Sequence, residues 1–174
     1  MMGEAVLVID MLNDFVREDG ALQCGTTVRK IVEPIAKRVK QARQYGETVI
    51  YMCDSHMPHD PEFEQFPPHA VRGTEGAQVI DELKPRDGDY VLPKRRYSAF
   101  FQSELLLALL ECNVTDIEIT GVCTNICVMY TAADAISYGF HVTVFPERVA
   151  ALDEQSHEIG LQQMEEVLGV EVKR

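Results

Sequence analysis

Apolar positions along this chain follow two periods. Short β-branched runs at residues 5–9, 48–52, 115–120 and 141–145 read as strands buried on both faces, with a shorter one at 90–92 and a last one at 170–172. Between them, apolar residues recur every three or four positions. Val28, Ile31, Val32, Ile35 and Val39 form one helical stripe that ends before Gly46. Pro34 places the start of its regular part near Glu33, because proline is tolerated in a helix's first turn. Leu105, Leu106, Leu109 and Leu110 form a second stripe, with Ser103 as N-cap. A third helix is expected from about Thr124 to Tyr138, and a fourth from Asp153 to just before Gly169. Strands alternating with helices predict an α/β fold: a mainly parallel sheet of about five or six strands, covered by helices on both faces. The 174 residues, with no repeat or linker, are expected to form a single domain, 1–174.

Composition removes several function classes. Hydrophobic residues make up 46% of the chain, which predicts a packed core. No apolar run is long enough to span a bilayer, and no basic segment precedes an apolar one at the start, so neither a membrane nor an export signal is expected. The net charge of −12 repels phosphate backbones and argues against nucleic acid as a partner. Five scattered cysteines, Cys24, Cys53, Cys112, Cys123 and Cys127, fit reduced thiols and a cytoplasmic location. Cys123 and Cys127 lack the spacing of a zinc ribbon or redox dithiol.

Parallel sheets bind ligands beyond the carboxyl ends of their strands. Four such ends carry reactive groups: Asp10, then Asp54 followed by His56, then Lys94, then the run from Gly121 to Cys127. At a helix start, Cys127 would meet unpaired N–H groups and a dipole that favour a thiolate and an oxyanion. Asp10 is the candidate proton acceptor and Lys94 the candidate charge partner. A small buried core cysteine, a capping aspartate and a solvated lysine are the structural alternatives for the three. Asp54, His56 and His69, with Glu62 between them, offer oxygen and nitrogen ligands for Zn²⁺, Mn²⁺ or Fe²⁺, and His59 competes. They lie in a long irregular stretch, 54–76, that holds Pro58, Pro61, Pro67 and Pro68. So long a loop in a compact domain is usually functional.

Taken in order, these segments resemble the nicotinamidase/pyrazinamidase branch of the isochorismatase-like cysteine hydrolases. Val8-Ile9-Asp10 through Asp14-Phe15 is similar to that family's activating aspartate followed by a substrate-stacking phenylalanine. Asp54-Ser55-His56 is similar to its metal pair, and Phe66-Pro67-Pro68-His69 to its third-ligand loop. Pro61-Glu62 matches an extra glutamate ligand of some members. Lys94 through Tyr97-Ser98-Ala99-Phe100 resembles the catalytic-lysine segment. Gly121 through Cys127-Val128 resembles the nucleophile segment, with a non-proline cis peptide expected at Val122–Cys123.

The resemblance implies a three-layer, Rossmann-like fold and a metal-containing amidohydrolase. Asp10, Lys94 and Cys127 would be catalytic, and Val122, Cys123 and Cys127 would shape an oxyanion site. Phe15, Phe66 and Tyr97 would form the substrate pocket. One divalent metal per chain, zinc first among the choices, would sit on Asp54, His56, Glu62 and His69. The substrate would be a small amide, with nicotinamide giving nicotinate and ammonia through a Cys thioester. Relatives are often dimers or tetramers, so a homo-oligomer is implied. The chain departs from the pattern at Cys123, where the family often carries alanine, leucine or another small residue, and at Phe66, where it frequently carries tryptophan. The rival readings are a carbamoyl or ureido amide hydrolase on the same scaffold, and a catalytically silent small-molecule or metal-binding protein.

Overall fold

The computed structural model describes residues 3–174. Six parallel strands form one sheet: β1 (Gly3–Ile9), β2 (Thr48–Asp54), β3 (Tyr90–Lys94), β4 (Val114–Val122), β5 (His141–Ala150) and β6 (Glu171–Val172), in the order β3-β2-β1-β4-β5-β6. Its helices are α1 (Asn13–Val16), α2 (Val28–Tyr45), α3 (Leu105–Glu111), α4 (Met129–Ser137) and α5 (Glu154–Glu166). Among the described residues, no helix is long and apolar enough to cross a membrane.

Alternation along β1 sorts its side chains between two layers. Val6 and Val8 pack with the inner face of α2, through Val28, Ile31, Val32, Ile35 and Val39. Ala5, Leu7 and Ile9 face the opposite layer, with Leu105 and Leu109 of α3, Ala132 and Ala135 of α4, and Leu161 and Met164 of α5. With both faces covered, β1 and β2 read as contiguous apolar runs over residues 5–9 and 49–52, while β4 carries a buried Glu118 that pairs with Arg38 and Arg148.

Helix α2 begins at Val28, five residues before the start expected from Pro34. Proline there withdraws a backbone donor and costs about 3 kcal/mol. Val28, Ile31 and Val32 are nearly fully buried, each contributing about 1.5–3 kcal/mol, and together they outweigh it. Strand β5 continues to Ala150, past the residue 145 boundary. The register between Ile119 and Gly121 shifts, and Pro146 falls in the resulting bulge, where a missing donor is tolerated. Ser103 sits one residue before the cap position of α3, yet its Oγ accepts from the Leu105 amide at 3.2 Å. The expected third helix is split: Thr124–Val128 forms a π-helical turn ahead of α4.

The chain leaves β1 toward β2 and β3, then returns to the other side of β1 for β4. The crevice of such a sheet opens where the strand order reverses, between the carboxyl ends of β1 and β4. Those ends carry Asp10 and the Cys123–Cys127 segment. β1 and β4 approach so closely there that a β-carbon on Gly121, at φ 108°, would lie 2.0 Å from the Ile9 carbonyl oxygen. Only glycine fits.

Candidate active site

Three strand ends converge on one ammonium group. Lys94 Nζ, at the end of β3 and fully buried, lies 2.8 Å from Asp10 Oδ2, donates to Asp54 Oδ1 at 2.6 Å, and lies 3.4 Å from Cys127 Sγ. It also donates to the Arg96 carbonyl at 3.2 Å. Asp10 occupies the left-handed region at φ 53°, uncommon for a residue with a side chain and tolerated best by Asp and Asn. Its Oδ1 accepts the Asp54 amide at 2.8 Å. Its Oδ2 receives no well-aligned hydrogen bond among the described residues, so a lone pair is left for a proton. The peptide Val122–Cys123 is cis, as the resemblance implied. Cys127 lies in the π-helical turn rather than in the first turn of an α-helix.

Burial sets the protonation of this group. It pushes the Cys127 thiol well above its ordinary range, with Lys94 opposing. Burial, then the Asp54 charge, pushes Asp10 up to about 7, against the pull of Lys94. Burial disfavours the Lys94 ammonium, but Asp10 and Asp54 outweigh it and hold the lysine charged. Asp54 is likewise held ionised, because Lys94 outweighs its burial. The resting arrangement is a thiol, a fixed cation and a carboxyl that titrates near neutrality.

A second cluster adjoins the first through Asp54. Ligand atoms of Asp54, His56 and His69 all lie within 4.8 Å of one another, and all three residues are buried. His56 Nε2 stands 3.6 Å from Asp54 Oδ2 and 4.0 Å from Glu62 Oε1. Neither His56 nitrogen has a hydrogen-bond partner among the described residues, although Asp60 Oδ2 lies 3.3 Å from Nδ1. His69 Nδ1–H donates to the Pro67 carbonyl at 2.7 Å, which leaves its Nε2 lone pair free. Burial disfavours a charged His56, yet Asp54, Asp60 and Glu62 raise its pKa: the site favours positive charge. Buried orphan nitrogens amid carboxylates fit a divalent cation held by Asp54, His56, His69 and Glu62. The grouping of Asp10, Asp54 and Cys127 does not, since Lys94 already occupies their centre.

The loop that builds this cluster is encoded locally. Asp60 Oδ1 accepts the Glu62 amide at 3.1 Å, and Pro61 opens the short 3₁₀ turn Pro61–Glu64 that presents Glu62. The His56 amide donates to the Ala70 carbonyl, the Arg72 amide to the His56 carbonyl, and Asp14 Oδ2 accepts the Ala70 amide at 2.8 Å. His69 is thereby folded back beside His56.

One pocket joins both clusters. Phe15, Phe66 and Tyr97 line it, together with Asp10, Asp54, Glu62, His69, Val122, Cys123 and Cys127. Apart from His59, the residues expected from the sequence are thus at one cleft, with Lys94 and His56 buried beside it. His59, the competing ligand, is exposed and outside the cluster. Sequence reasoning missed Asp60, which pairs with Arg95 at 3.0 Å and Arg96 at 3.2 Å as well as facing His56. The signal for it was an Asp-Pro cap and two adjacent arginines needing an acid. It also missed Leu22, Cys24, Ile126 and Leu152 in the pocket wall.

A parallel α/β sheet with a buried Asp–Lys–Cys group at its switch point defines a hydrolase scaffold. The chain belongs to the isochorismatase family: the isochorismatase domain matches residues 4–172. It is similar to the crystal structure of the nicotinamidase/pyrazinamidase PncA from Bacillus subtilis, at 34% identity and TM-score 0.94, covering 99% of this chain and 100% of that one. It is also similar to N-carbamoylsarcosine amidase from Thermoplasma acidophilum, at 36% identity and TM-score 0.90, with 99% and 96% covered. The pyrazinamidase of Pyrococcus horikoshii, solved in complex with zinc, aligns at 26% identity and TM-score 0.92 over 98% of each chain.

Proposed function

We propose that this chain is a metal-containing cysteine amidohydrolase that converts nicotinamide and water to nicotinate and ammonia. The observation that carries the reading is Lys94 Nζ, placed within 2.6–3.4 Å of Asp54, Asp10 and Cys127 at the floor of one pocket. A thiol, a poised carboxyl and a fixed cation are the parts required for acyl transfer to sulfur.

Asp10 takes the Cys127 proton as the thiolate attacks the carboxamide carbon, and Lys94 offsets the cost of the buried negative charge. The backbone N–H groups of Cys123 and Cys127 receive the oxyanion. As the C–N bond breaks, Asp10 returns the proton and ammonia leaves, with the acyl group on Cys127 Sγ. Asp10 then takes a proton from water, whose oxygen attacks the thioester; nicotinate forms and the thiol is restored. Asp54, His56, His69 and Glu62 would hold a divalent metal, zinc first among Zn²⁺, Mn²⁺ and Fe²⁺, which would supply a Lewis acid for the pyridine nitrogen. Phe15, Phe66 and Tyr97 would contact that ring. The similarity to a nicotinamidase/pyrazinamidase and to a zinc-bound pyrazinamidase supports this choice.

The similarity to N-carbamoylsarcosine amidase favours a second substrate class, carbamoyl or ureido amides. Ammonia release from nicotinamide, pyrazinamide and N-carbamoyl compounds by metal-replete protein separates the two. Nicotinamide should be turned over with the highest kcat/KM. Turnover confined to the carbamoyl compounds would reject the substrate.

A further inference from the structure

Two thiols of the pocket wall take no part in this chemistry, and they touch each other. Cys123 Sγ and Cys24 Sγ are 3.2 Å apart, from residues 99 apart in sequence, and neither is in a disulfide. Both line the pocket that holds Cys127. Cys123 is 8% exposed and Cys24 2%. Of the other three free thiols, Cys127 faces Lys94, Cys112 Sγ contacts the Tyr90 hydroxyl, and Cys53 is half-buried on β2.

We propose that Cys24 and Cys123 are a dithiol–disulfide site, closed by a small two-electron oxidant such as hydrogen peroxide, that disables the adjoining cleft. Cys123 sulfur attacks the peroxide, the O–O bond breaks, and a sulfenic acid and one water form. Cys24 sulfur then displaces hydroxide from that sulfenic acid, forming the S–S bond and a second water. Two thiols lose two protons and two electrons, and the peroxide gains them. The reverse needs a dithiol reductant.

Packing decides what moves. The Cys24 amide donates to the Phe15 carbonyl at 2.8 Å. Its neighbour Gly25, at φ 71°, is pressed so closely on the chain after β5 that a β-carbon would lie 2.4 Å from the Leu152 carbonyl oxygen. The Cys24 backbone is therefore held. Closing 3.2 Å to the ~2.05 Å of a disulfide draws the sulfurs together by roughly 1 Å. Much of that falls on Cys123, whose carbonyl accepts the Ile126 amide at 3.0 Å and the Val128 amide at 3.2 Å, on either side of Cys127. A pull on Cys123 displaces the turn that carries Cys127. Misplacement by ~1 Å costs on the order of 10²-fold in rate, so turnover should fall at least tenfold.

The cross-link itself does not depend on the proposed reaction; only its effect on turnover does. Holoprotein carrying Cys127→Ala is titrated with hydrogen peroxide, digested without reductant and mapped by mass spectrometry. A peptide joining Cys24 to Cys123, absent after dithiothreitol and absent in Cys24→Ser, is the expected result. In the wild type, the fraction of linked chains should track the fraction of turnover lost while Cys127 still alkylates. Cys24 and Cys123 recovered only as separate thiols or sulfinic acids, in wild type and Cys127→Ala alike, would overturn the site. Linked chains with undiminished turnover would overturn its hold on the cleft.

Discussion

Asp54 and Lys94 make the shortest contact of the site: Asp54 Oδ1 accepts from Lys94 Nζ at 2.6 Å, while Asp54 Oδ2 faces His56 Nε2 at 3.6 Å. One carboxylate thus serves both clusters, and the two should respond differently to mutation. His69→Ala removes a ligand that makes no hydrogen bond to Asp10, Lys94 or Cys127 among the described residues. It should strip the metal and raise KM, with Cys127 alkylated by iodoacetamide at near the wild-type rate. Asp54→Ala should strip the metal and also lower kcat, because Lys94 loses its shortest partner. Equal kcat in the two metal-depleted variants would refute the shared role.

Lys94→Met should remove the only cation among Asp10, Asp54 and Cys127. Asp10 would then lose the charge that opposes its burial and the Asp54 carboxylate, and it would hold its proton and fail as a base. Turnover should fall by on the order of 10²-fold or more, the loss typical of a disrupted acid–base group. Lys94→Arg should not restore it, since a planar fork does not fit where a point charge bonds three ways. Substantial activity in either purified variant contradicts the arrangement.

Asp10→Asn is a clean probe of the base, because Asn also tolerates the left-handed backbone at φ 53°. The melting temperature should fall, because buried Lys94 loses a charge partner, while the folded variant's kcat should drop by on the order of 10²-fold. In the wild type the base must be ionised, and its carboxyl is pushed up to about 7 by burial and then by Asp54. kcat/KM should therefore decline as pH falls through that region. A cation on Asp54 offsets the second cause, so the decline in metal-replete protein should lie at or below 7. A profile flat from pH 5 to 8 would exclude Asp10 as the titrating base.

Asp60 supports the metal cluster from behind. It lies 3.3 Å from His56 Nδ1, and the bonds it accepts from the Glu62 amide and from Arg95 and Arg96 outweigh its burial and keep its carboxyl well below the usual range. Asp60→Asn should weaken metal binding by about 10–100-fold, the usual cost of losing such a partner, and leave Cys127 reactivity intact. Competition with a fluorescent chelator reads this directly. Unchanged metal affinity would reduce Asp60 to a loop cap.

The sheet was legible because β1 and β2 are covered on both faces and read as contiguous apolar runs, while β4 showed through its β-branched residues. The start of α2 was not, because Pro34 is a local rule and the burial of Val28 and Ile31 that overrides it is tertiary. Asp10, Lys94 and Cys127 stood out through their positions at strand ends. The double duty of Asp54 did not, since its partner Lys94 is 40 residues away and no spacing encodes that approach. His59 and Asp60 are adjacent, and sequence alone favoured the histidine. Two arginines from the end of β3 draw the aspartate inward and leave His59 in solvent.

The most direct measurement is rapid-quench mass spectrometry of metal-replete wild-type protein mixed with nicotinamide. It should show the nicotinoyl group on the peptide containing Cys127, appearing and decaying at rates compatible with turnover. Cys127→Ala should fold, bind metal and release no ammonia. Turnover without any acyl adduct, or an active Cys127→Ala enzyme, would contradict the thioester mechanism at its centre.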